Sequence, residues 1–127
     1  MLEGIKILVV EDNLLNQKIV SFILLKQRAI IKMAINGKEA IKLLDEEPFD
    51  IVLMDLQMPE MDGFTTIEYI RAELHNNIPI IALTAGVFVE DYERCERLGA
   101  NACISKPVNQ TVLCDLILNL TNSSKGK

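Results

Sequence analysis

Short apolar runs alternate with helical patterns five times along this chain. Residues 5–10, 30–34, 51–54, 80–83 and 102–104 are rich in Ile and Val and mostly lack polar–apolar alternation. Strands covered on both faces have this pattern, as parallel strands do. The segments between them predict helices. Asn13 is placed to cap a helix ending near Lys26, and Asn36 a second through Leu44, with Ala40, Ile41 and Leu44 inward. The turn signal Asp62-Gly63 opens a third to Leu74, and Phe88 to Leu98 forms a fourth closed by Gly99. Asn109 starts the last, whose inner stripe is Val112, Leu113, Leu116, Ile117 and Leu120.

Repeated βα units demand right-handed crossovers with helices on both faces. The predicted fold is therefore α/β: a doubly wound, five-stranded parallel sheet with five helices, in the flavodoxin-like order 2-1-3-4-5 usual at this size. The domain is expected to span residues 1–121, with 122–127 a polar tail or linker.

Half of the 127 residues are apolar and the net charge is −5, without a Lys/Arg cluster, so a nucleic-acid surface is not expected. No apolar run approaches the roughly 18 residues of a membrane span, and the first residues lack a secretory pattern. Cys95, Cys103 and Cys114 form no paired motif, which fits reduced thiols and a cytoplasmic location. Asn109, Asn119 and Asn122 open Asn-x-Ser/Thr triplets, taken as chance in that setting.

Candidate chemistry sits where strands end. Glu11 and Asp12 follow the first run, Asp55 the third, Thr84 the fourth and Lys106 the fifth. In a parallel sheet those ends share one edge, where open α/β sheets bind ligands. Carboxylates about 4 Å apart repel by about 4 kcal/mol at an effective dielectric near 20, so such a cluster needs a cation. Oxygen-only ligands favour a hard divalent ion such as Mg²⁺, with Mn²⁺ able to substitute. His75, the only histidine, stands beside Asn76-Asn77 and is expected on the surface. Pro107 fixes the direction of Lys106, across an X-Pro bond that is a candidate for cis.

Taken together, Val10-Glu-Asp-Asn13, Leu53-Met-Asp-Leu-Gln-Met-Pro-Glu-Met-Asp-Gly63, Leu83-Thr-Ala85 and Ser105-Lys-Pro107 resemble the receiver domain of two-component response regulators. The resemblance runs in order from Lys6 to about Leu120. It implies that Asp55 accepts a phosphoryl group from a phosphohistidine on a histidine kinase or histidine phosphotransfer domain. It further implies that Glu11, Asp12, Asp55 and the Gln57 backbone carbonyl hold Mg²⁺. Lys106 would contact the phosphoryl oxygens, Thr84 would swing towards them, and the Ala85 N–H would add a donor. Val-Glu-Asp-Asn-x-x-Asn16 with an apolar first helix resembles receivers of hybrid histidine kinases in particular. A stand-alone regulator is the alternative, and kinase activity is expected only of a larger hybrid protein.

Cys103 stands where many members of that family carry a switching aromatic residue. A switch through the residues after Thr84, or through the helix 88–98, is the alternative. The resemblance also implies that Gln57 and Gly86 occupy positions that in that family tune hydrolysis of the acyl phosphate. Two other readings compete: a metal-dependent hydrolase with Asp55 as nucleophile, and a degenerate receiver used only for protein contacts. The hydrolase normally carries a second acid two residues after the nucleophile, where this chain has Gln57.

Leu14 and Leu15, beside the proposed site, are expected in the core on packing grounds. Exposed, they would form a patch for docking a helical, histidine-bearing partner. Phe88, Val89 and Tyr92 pose the same choice between half-buried packing and a homodimer or regulator surface.

Overall fold

The computed structural model describes residues 1–58, 61–86 and 88–125. Five parallel strands, β1 (Lys6–Val10), β2 (Ile30–Ala34), β3 (Ile51–Asp55), β4 (Ile80–Thr84) and β5 (Ala102–Ser105), form one sheet in the order β2-β1-β3-β4-β5. Five helices alternate with them: α1 (Leu14–Lys26), α2 (Gly37–Glu46), α3 (Gly63–Ala72), α4 (Val89–Leu98) and α5 (Gln110–Lys125). The predicted architecture and strand order are those observed.

The sheet divides the core. Leu8, Val10, Val52, Met54, Ile80 and Ala82 face α2, α3 and α4, where they meet Ala40, Leu44, Ile67, Ile70 and Cys95. Ile7, Val9, Ile51, Leu53, Ile81 and Leu83 face α1 and α5, against Val20, Leu24, Leu113 and Ile117. Strands β3 and β4 are buried at every position, which explains their unbroken apolar sequence. The edge strands β2 and β5 are only partly covered, and Ile30 is exposed.

Capping side chains fix where the helices begin. Asn13, Asn36, Asp62 and Asn109 accept hydrogen bonds from the N–H groups of Asn16, Glu39, Thr65 and Val112 respectively. Gly99 closes α4 with φ of 112°, a left-handed conformation that glycine adopts without a Cβ penalty. The Lys106-Pro107 bond is cis.

Two expectations are corrected. Leu14 and Leu15 are 71% and 66% exposed, because the inner face of α1 is supplied by Val20, Ile23 and Leu24. Val112 is exposed, and the buried stripe of α5 continues instead through Cys114 and Thr121. Helix α5 itself ends at Lys125. Pro59 and Glu60 of the predicted turn, and residues 126–127 of the tail, lie outside the described residues.

Candidate functional site

Strand register assembles the site. Val10 pairs with Met54, so Glu11 and Asp55, one step further along neighbouring strands, lie side by side. Asp55 pairs with Leu83, placing Thr84 just beyond it, and Thr84 pairs with Ser105, which delivers Lys106. A one-residue slip in any pair would turn these side chains to the opposite face of the sheet.

Asp55 is the only charge within the fully buried β3 and is 2% exposed. A lone carboxylate in that position would carry a desolvation cost of several kcal/mol. Lys106 offsets it: its ammonium lies 3.0 Å from Asp55 Oδ1 and 3.5 Å from Glu11 Oε1. The Gln57 N–H donates to the same Asp55 oxygen at 3.2 Å. Burial works against the lysine charge, but the Asp55 hydrogen bond and the two carboxylate charges outweigh it. The Lys106 pKa is held above the ordinary lysine value.

Glu11 is 1% exposed, and the Asn13 N–H donates to its Oε2 at 3.2 Å. Its Oε1 is buried without a hydrogen-bond partner. Burial first, and then the Asp55 charge, push the Glu11 carboxyl above the ordinary glutamate value. Gln17 steadies this residue by donating from Nε2 to the Glu11 carbonyl at 2.6 Å. Sequence reading passed over Gln17; its place one turn into α1 from Asn13 was the available signal.

One carboxylate oxygen each from Glu11, Asp12 and Asp55 lies within 4.8 Å of the others, with Asp12 exposed at the mouth. The donor set is all oxygen, and Glu11 Oε1, buried without a hydrogen bond and touched only by the Lys106 ammonium at 3.5 Å, has capacity to coordinate a cation. These residues fit a hard divalent ion. Thr84 is buried, and its Oγ1 accepts from the Gly86 N–H at 3.3 Å. Ala85 is exposed beside it. Thus Glu11, Asp12, Asp55 and Lys106 converge, and Thr84 ends the strand next to Asp55. For Gln57 the recorded contact is through the N–H; the expected ligand was its carbonyl. His75 is exposed, as expected.

A family model described as the response regulator receiver domain matches residues 7–118. The chain belongs to the response regulator receiver family. Among relatives, this receiver is 38% identical over 115 residues to the hybrid signal transduction histidine kinase B of Dictyostelium discoideum, covering 81% of the chain and 6% of that protein. Among solved structures, it resembles the receiver domain of Ssk1, co-crystallised with the histidine phosphotransfer protein Ypd1 of Saccharomyces cerevisiae. There the TM-score is 0.90 and the identity 30%, covering 98% of this chain and 93% of that one. The receiver domain of a Pseudomonas aeruginosa sensor histidine kinase, with magnesium coordinated in its active-site cleft, gives 0.86 and 32%, covering 94% and 98%. The receiver spans 6% to 15% of the length of the first five curated histidine kinases it matches. Among the described residues no helix is long and apolar enough to cross a membrane.

Proposed function

We propose that this receiver accepts a phosphoryl group on Asp55 from a phosphohistidine donor, with Mg²⁺ bound by Glu11, Asp12, Asp55 and the Gln57 carbonyl. The observation that carries the reading is the buried Asp55 carboxylate paired to Lys106, beside a buried Glu11 oxygen that makes no hydrogen bond. A catalytic dyad would need a base poised to take a proton, whereas this arrangement supplies positive charge around a nucleophilic carboxylate. Phosphoryl transfer mostly requires positioning and charge neutralisation.

Oδ1 of Asp55 is engaged by Lys106 and Gln57, which leaves Oδ2 to attack phosphorus. The new O–P bond forms as the P–N bond to the donor imidazole breaks, and the imidazole leaves with its electron pair and takes a proton. Lys106 then turns part of its charge from the carboxylate to the phosphoryl oxygens. The Thr84 hydroxyl and the Ala85 N–H add donors. When bound, Mg²⁺ supplies further neutralisation of the transferring oxygens.

The partner surface is α1. Leu14, Leu15, Ile19, Phe22 and Leu25 form an exposed apolar face along its length, flanked by Lys18 and Lys26 and free of acids. Such a face on a surface helix fits a partner helix that is apolar and acidic, carrying histidine towards Asp55. A histidine phosphotransfer domain or the dimerisation helix of a kinase has this form. Membership in a hybrid kinase is supported by the relatives, and a cytoplasmic location belongs to the same proposal.

Incubation with a phosphorylated histidine phosphotransfer protein and Mg²⁺ tests it. Stoichiometric transfer of one phosphoryl group supports the reading. Continuous turnover of phosphomonoesters would favour the hydrolase, and no transfer from any donor would favour a receiver used only for contacts.

A further inference from the structure

Gln17 grips the peptide that joins the two acids after β1. It is the fourth residue of α1, and long helical side chains lean towards the helix N-terminus. Its carboxamide therefore reaches back past the Asn13 cap, where Nε2 donates to the Glu11 carbonyl at 2.6 Å. A glutamate carboxylate, which only accepts, could not make this bond. The neighbouring residues are anchored in other ways. The Glu11 N–H donates to the Ala34 carbonyl of β2 at 3.0 Å, and the Asn13 N–H to Glu11 Oε2 at 3.2 Å. Asp12 lies between these anchors without support of its own. It is exposed, and its side chain makes no hydrogen bond or ion pair among the described residues. A carboxylate oxygen of Asp12 nonetheless lies within 4.8 Å of one from Glu11 and one from Asp55. The peptide is planar, so turning the Glu11 carbonyl would swing the Asp12 Cα with it. Among the described residues, Gln17 is the one side chain outside the turn that holds this plane.

We infer that Gln17 is a positioning residue for Asp12: by locking the Glu11–Asp12 peptide it presents the Asp12 carboxylate to the acidic cluster and so sets its affinity for a divalent cation. The inference rests on the reading that Glu11, Asp12 and Asp55 together hold such an ion. Burial confines Glu11 and Asp55, but nothing except the backbone confines Asp12. Without the clamp, Asp12 has to be ordered when the cation binds, and that lost freedom is subtracted from affinity.

Gln17→Met keeps the length of the side chain and removes the donor. Mn²⁺, titrated by its effect on water-proton relaxation, is the probe, at a temperature where every chain is folded by circular dichroism. Affinity is expected to fall roughly tenfold, as it does when a group that orients a metal ligand is lost. In an Asp12→Asn background the same substitution should change affinity by less than about twofold, because the coupling disappears with its partner. A second readout needs no metal. The Asp12 N–H belongs to the clamped peptide, and its ¹⁵N order parameter should drop from about 0.85 towards about 0.6 in Gln17→Met, while that of Val10 stays. Unchanged Mn²⁺ affinity, an equal loss in both backgrounds, or no drop in the Asp12 order parameter overturns the inference. Should Asp12→Asn bind too weakly to titrate, the order parameter decides alone. If the unaltered chain binds neither Mn²⁺ nor Mg²⁺, the metal reading fails first, and this inference with it.

Discussion

Gly63, the first residue of α3, lies against the backbone of Asp55. A Cβ there would fall inside the contact radius of the Asp55 carbonyl oxygen and 2.7 Å from Leu56 Cα. Both obstacles are backbone, so relief would require moving the strand end that carries the nucleophile. Gly63→Ala is expected to destabilise the fold by about 1–3 kcal/mol, the usual cost of overpacking. Urea unfolding measures it; a change within about 0.5 kcal/mol would mean that α3 can step back from β3 freely.

The exposed face of α1 separates docking from stability. Leu15→Asp and Phe22→Asp replace side chains 66% and 68% exposed, so each should change stability by less than about 0.5 kcal/mol. Each should slow phosphotransfer from a histidine-bearing protein by roughly tenfold or more, as loss of an interface anchor does. Labelling by acetyl phosphate should be unaffected. Leu14→Asp is expected to behave likewise. Equal loss with both donors would assign the effect to the site and not to docking.

Glu11 gives a pH dependence of unusual sign. Its carboxyl is raised in the folded chain, so it binds a proton more readily folded than unfolded. Alone, it therefore makes the fold more stable as pH falls from neutral through that raised value, and less stable as pH rises through it. A bound cation removes the repulsion and competes with the proton. The rise in melting temperature caused by Mg²⁺ should accordingly be larger near about pH 8 than near about pH 5.5. Scanning calorimetry with and without the metal measures this, and a rise independent of pH would remove Glu11 from the ligand set.

Cys95 is fully buried, and burial followed by its neighbour Cys103 pushes its thiol up to about 12. Only ~10⁻⁴ of it is thiolate at about pH 8. Native-state alkylation should spare Cys95 until the chain unfolds, whereas half-buried Cys103 reacts first. Peptide mapping after timed alkylation checks the order.

Strands β3 and β4, which helices cover on both faces, were legible because nothing before their last residue is polar. The same uniformity hid the outward face of α1: with apolar residues all round, periodicity cannot say which side is core. The inner stripe of α5 was misplaced for the opposite reason. Thr121 looks polar in sequence, yet it is buried one turn after Ile117, and its hydroxyl donates to the Ile117 carbonyl at 2.7 Å. The site was visible as a set of strand ends, since parallel order alone brings Glu11, Asp55 and Lys106 together.

The most direct measurement follows radiolabel from acetyl phosphate, with Mg²⁺ present, into the unaltered chain and into Asp55→Asn. Proposed transfer to the Asp55 carboxylate predicts one base-labile label per unaltered chain and none in the variant, with both chains folded by circular dichroism. A base-labile label of equal yield in Asp55→Asn would contradict it.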